Sequence, residues 1–131
     1  MNTKLNQILA EISAGELLDK ITILEIKKEK INNKEKLEEI NKELSSLNKT
    51  SNEKIPDKSK VKDLIINLKN INLKLWDIEE GKRQAEKNKK FDEDFIKLSR
   101  NVYKTNDERA KIKLKINDIL GSNIKEVKSH Y

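Results

Sequence analysis

Only three arginines, Arg83, Arg100 and Arg109, occur among the 29 basic residues of this 131-residue chain, and the rest are lysine. Arginine differs from lysine in offering a planar fork that holds a carboxylate or phosphate at two points, and it tolerates burial better. Arg100 and Arg109 could therefore clamp an anion. Residues of complementary chemistry occur elsewhere in the chain. Asp19 and Glu79 could divide acid and base roles if their environments separated their pKa values. Trp76 and Tyr103 could stack a sugar or a nucleotide base, and Asn106 adds an amide. The candidate ligand-binding cluster is Asp19, Trp76, Glu79, Arg100, Tyr103, Asn106 and Arg109, and the ligand it suggests is a small anion such as a phosphosugar or carboxylate. A structural reading stands beside this one. A buried Arg109 requires an acidic partner, Asp19 or Glu79, and such a pair fixes helix register without binding anything. Trp76, next to Leu75, reads equally well as core.

The composition excludes several chemistries. There is no cysteine, hence no disulfide framework and no thiolate zinc site. The one histidine, His130, leaves no basis for a His-rich metal centre or a His-based triad. Three glycines and no GxGxxG or GxxxxGK pattern leave no phosphate-cradling loop. No metal and no cofactor is implied, and no residue can be named as catalytic. The net charge of +6 invites a nucleic-acid reading. Lys27, Lys28, Glu29 and Lys30, followed by Lys34, Glu35, Lys36, Glu38 and Glu39, show cations and acids interleaved. That is the pattern of a solvated helix face and weighs against nucleic acid. No stretch approaches the roughly 18 apolar residues of a membrane span, and residues 1–11 lack the apolar core of a signal peptide. The expected location is the cytoplasm.

The elements that must position the cluster are helical. Ser13 and Glu16 fit a capping box, with an apolar run from Leu17 to Ile26 that covers more than one face. Leu37, Ile40, Leu44 and Leu47 follow as a narrow seam. One helix is expected from residue 13 to about 48, leaving a buried base and projecting as an arm. Residues 48–57 have turn composition and the only proline. Val61, Leu64, Leu68, Ile71, Leu75 and Ile78 then recur at helical spacing, which predicts an antiparallel hairpin with Leu47 near Val61 and Ile40 near Leu68. A second turn is expected near residues 88–91, with Asp92 capping a last helix that ends at Gly121. Its seam is interrupted by Thr105 and Arg109. Either the helix runs through them, or Thr105 and Glu108 form a new capping box and split it. Leu5, Ile8, Leu9 and Ile12 have helical spacing, so residues 1–12 form either a short leading helix or an extended segment. Ile124, Val127 and Tyr131 are expected to dock a tail.

The fold expected is all-α: one helical domain with a base (about 1–27 and 75–131) and a long coiled-coil hairpin arm (about 28–74). The arm suggests a protein partner or self-association.

Three blocks carry a resemblance. Residues 12–27 (ISAGELLDKITILEIK), 75–79 (LWDIE) and 100–110 (RNVYKTNDERA) resemble the SxGELxDKITIL, LWxxE and RxVYxTNDxRA blocks of an uncharacterised bacterial helical family, and residues 126–131 (EVKSHY) resemble its tail. Ala14 departs from the larger residue usual there, and residues 1–10 also differ. The family has no known function. Its resemblance implies an association with glycosyltransferase and surface-polysaccharide loci, hence an accessory role in cell-envelope glycan assembly.

Overall fold

The computed structural model describes residues 3–129. His130 and Tyr131, including the expected docking of Tyr131, lie outside the described residues, as do Met1 and Asn2. The described chain is helical, in the order α1 (Ala14–Lys30), α2 (Lys34–Lys54), a short 3₁₀ turn (Ser59–Val61), α3 (Lys62–Lys87) and α4 (Glu93–Leu120). No described helix is long and apolar enough to cross a membrane.

Capping chemistry sets the starts of α1, α2 and α4. The Ser13 hydroxyl accepts the Glu16 amide at 3.1 Å, and Asn33 and Asp92 do the same for Lys36 and Phe95 at 3.0 and 3.3 Å. Gly121, at φ +65°, takes the left-handed conformation that closes α4. The last helix is unbroken through Thr105 and Asp107, so the splitting cap does not form.

The single helix expected over 13–48 is corrected. It breaks at residues 31–33, and α2 doubles back on α1. Asn33 supplies the local reason: its side chain captures the Lys36 amide and starts a new helix. The tertiary reason is burial. Folding back puts Ile40 and Leu44 into the core with Leu17, Leu18, Ile21 and Leu24 of α1. Both are almost fully shielded there, whereas a two-helix arm would leave its seam only half covered.

The expected hairpin partner is therefore wrong as well. The backbones of α2 and α3 do not pack together among the described residues; the hairpins are α1 with α2, and α3 with α4. Helix α1 touches all three others, which is why its apolar residues cover more than one face. Val61, Leu68 and Ile116 complete the core and are fully buried. Ile78 of α3 is buried apart from this cluster, and the turn end of the α3–α4 hairpin, with exposed Phe91 and Ile96, extends beyond the main core.

The segment from residue 3 to residue 13 is neither helix nor strand. The tail after Gly121 docks through polar groups: Ser122 accepts the Ala14 amide at 3.0 Å, and Lys128 pairs with Asp107 at 2.7 Å. Val127, expected to dock, is exposed.

Candidate functional site

The site begins where α1 and α4 meet. The two helices run in opposite senses: Asn117 meets Gly15, Lys113 meets Glu16, and Arg109 meets Asp19. Their approach is close. A Cβ on Gly15 would stand 2.5 Å from the Lys113 carbonyl oxygen, so only glycine fits. The Gly15 amide instead donates to Asn117 Oδ1 at 2.6 Å.

Asp19 is the buried centre, at 0% exposure. Arg109 Nε donates to its Oδ1 at 3.0 Å, and Nη2 donates to Oδ2, giving a two-point clamp. Asn72 of α3 donates to the same Oδ1 at 2.9 Å and also reaches the Thr22 hydroxyl at 2.9 Å. Thr22 donates in turn to the Asp19 carbonyl at 2.8 Å. Three helices are thus tied at one carboxylate, and no buried side-chain polar atom among the described residues lacks a partner. The bond to Asp19, which outweighs burial, holds the Arg109 guanidinium above its ordinary pKa.

A second ionic group continues toward the start of α1. Lys113 donates to Glu16 at 2.6 Å and lies 3.3 Å from Glu126 of the tail. Burial alone would raise the Glu16 carboxyl, but its bonds and the nearby lysine charges hold it below the ordinary value. Burial pushes Lys113 down, and the bond to Glu16 with the charges of Asp19, Glu16 and Glu126 carries it above its ordinary value. The expected capping box is thus half formed: Ser13 caps, while Glu16 turns to Lys113 and to Lys20.

Beside Arg109 opens a cleft of about 370 Å³. Ile23, Ile26, Leu75 and Trp76 form its apolar walls, and Asn72, Glu79, Glu80, Arg83 and Arg109 supply polar groups. Of the seven candidate residues, Trp76, Glu79 and Arg109 line the cleft together. Asp19 lies behind Arg109, and Asn106 accepts from Arg109 Nη1 at 3.4 Å. Arg100 and Tyr103 do not join them. Both are exposed residues of α4 outside the cleft lining. The two-arginine clamp is therefore corrected: nine residues along a helix turn Arg100 far from the Arg109 face, and the second arginine of the cleft is Arg83.

Sequence reasoning missed Asn72, Arg83 and Lys113. Asn72 had no distinguishing signal, because Asn67 and Asn70 stand close by in the same helix. Arg83 carried the scarcity of arginine in this chain but lay outside the interrupted seam, and Lys113 looks like any other surface lysine.

Both Asp19 oxygens are engaged by Arg109 inside the protein, which leaves Glu79 and Glu80 as the carboxylates that line the cleft. Among the described residues no group of three His, Asp or Glu side chains could hold a metal ion.

No curated protein and no solved structure matches the chain. The model of one family of unknown function, DUF6165, matches residues 8–131, nearly the whole length, and the chain belongs to that family.

Proposed function

We propose that this protein is a non-enzymatic helical interaction module that receives an apolar segment of a protein partner in the Trp76 cleft. The observation that carries the reading is the cleft itself. It has four apolar walls and a rim of mixed charge, and it stands on helices locked together by the Asp19–Arg109 pair. A rigid apolar groove with a few polar groups at its edge is the usual form of a site for a side chain or an amphipathic helix. The accessory role beside bacterial surface-polysaccharide enzymes, suggested by the resemblance of the sequence blocks, is the setting we propose for that partner.

The small-anion reading finds less support in the electrostatics. Arg109 is already neutralised by Asp19, and Glu79 and Glu80 outnumber the remaining cation, Arg83. An entering phosphate would meet a cleft with a negative surplus.

Thermal-shift measurements separate the readings. Amphipathic peptides are expected to stabilise the wild type and to lose their effect in Trp76→Ala. Stabilisation by phosphosugars or dicarboxylates, abolished in Arg83→Ala, would replace the interaction reading with the small-anion one.

A further inference from the structure

Residues 3–12 are unusual in what they leave uncovered. Leu5, Ile8 and Leu9 are 82, 80 and 80% exposed, and Ile12 is 40% exposed. Their spacing of three, one and three places all four on one side of a helix, and on no single side of an extended chain. The segment contains neither glycine nor proline. A helix this short is not stable alone in water, which agrees with its non-helical form here. Such a segment gains its helix when an apolar surface covers that face.

We propose that the surface is the Trp76 cleft of a second copy of this chain, so that two copies exchange N-terminal arms. This rests on the reading of the cleft as a docking groove and names its occupant. Charge is the first argument. The cleft with Asp19 behind it carries a negative surplus, and Lys4 is the only charged residue of the arm before Glu11. Lys4 lies one residue before the apolar face, where Glu79 and Glu80 can receive it. Length is the second. The Glu11 carboxylate accepts from Asn123 Nδ2 at 2.6 Å, which pins the arm's root at the end of α4. As a helix, residues 3–10 span about 12 Å. The cleft begins at Ile23, about 15 Å along α1 from Ser13. The arm cannot lay its apolar face on its own cleft while keeping the helix that creates that face. A neighbouring copy has no such limit.

Trp76 is the sole tryptophan and lines the cleft, so its fluorescence reports occupancy directly. The experiment follows emission and light scattering of the full chain over a concentration series. It repeats them on the triple variant Leu5→Asp, Ile8→Asp, Leu9→Asp, whose changes fall outside the core. The expected result is a blue shift of Trp76 that appears together with dimer mass. Both should be lost in the variant, and the blue shift should be restored in it by a synthetic peptide of residues 3–13. Lys4→Glu in that peptide should weaken the restoration. A monomer at every concentration overturns the proposal, as does a dimer that persists in the variant. A concentration-independent blue shift, lost in the variant, overturns it in favour of the arm's own cleft. A last measurement separates this proposal from the reading beneath it. If the peptide leaves Trp76 unmoved while anilinonaphthalene sulfonate quenches it, the arm is not the occupant and the docking groove stands. If neither acts, both fall.

Discussion

Arg109 Nε lies 3.0 Å from Oδ1 of Asp19, a residue 90 positions earlier in the chain, and the two side chains differ sharply in exposure: 27% for Arg109 and 0% for Asp19. The carboxylate is sealed, while the guanidinium reaches the cleft.

That asymmetry predicts unequal mutational costs. Arg109→Ala leaves a buried charge with Asn72 and a lysine 3.9 Å away, and should destabilise by about 3–5 kcal/mol. Asp19→Asn keeps the shape and leaves a guanidinium that water can reach through the cleft, so about 1–3 kcal/mol is expected. Urea unfolding of the two variants measures the difference; equal costs would contradict the asymmetry.

The glycines should behave differently from one another. Gly15→Ala drives a Cβ against the Lys113 carbonyl at 2.5 Å and must move backbone, at a cost of about 1–3 kcal/mol or more. Gly81→Ala meets only the flexible end of Leu98, at 3.1 Å, and gains about 1 kcal/mol of helix propensity, so it should be near neutral or stabilising. Thermal midpoints of the two single variants provide the check.

Acid should weaken the protein partly through Glu16. Its folded pKa lies below the ordinary 4.5, so its contribution is complete above that value and is lost as pH falls through the lower folded one. Lys113, raised above 10.5, contributes fully below that value and loses its contribution as pH rises through the higher folded one. Glu16→Gln should lower stability at neutral pH and flatten the acid limb of a stability profile. An acid limb unchanged in the variant would show that other carboxylates govern it.

The fold-back of α2 is open to a distance measurement. Ala10 and Lys54 line one groove at the start of α1, so spin labels there should give a short distance. A continuous helix over 13–48 would separate them by about 50 Å.

Much of the fold was legible locally. Ser13, Asn33, Asp92 and Gly121 set helix ends through hydrogen bonds within a few residues, and Ser13, Asp92 and Gly121 could be named from type and position. Asn33 caps in the same way, but it lies inside the stretch whose seam predicts one continuous helix. A seam of Leu37, Ile40 and Leu44 looks identical whether it covers the preceding helix or the following one, since periodicity records which face is apolar and is silent about its partner. The interrupted seam at Arg109 likewise announced a buried ionic group, with Asp19 as one of two candidate partners.

By itself the sequence determined the helical class, most of the helix boundaries and the need for an acid beside Arg109, because these follow from spacing and from the cost of burying an unpaired charge. Only the tertiary structure decided that α2 returns to α1, that Asp19 and not Glu79 takes Arg109, and that Arg83 replaces Arg100 beside Trp76. Each of those depends on which helix faces meet across the core, a choice made by the total area they bury together and not by any one segment.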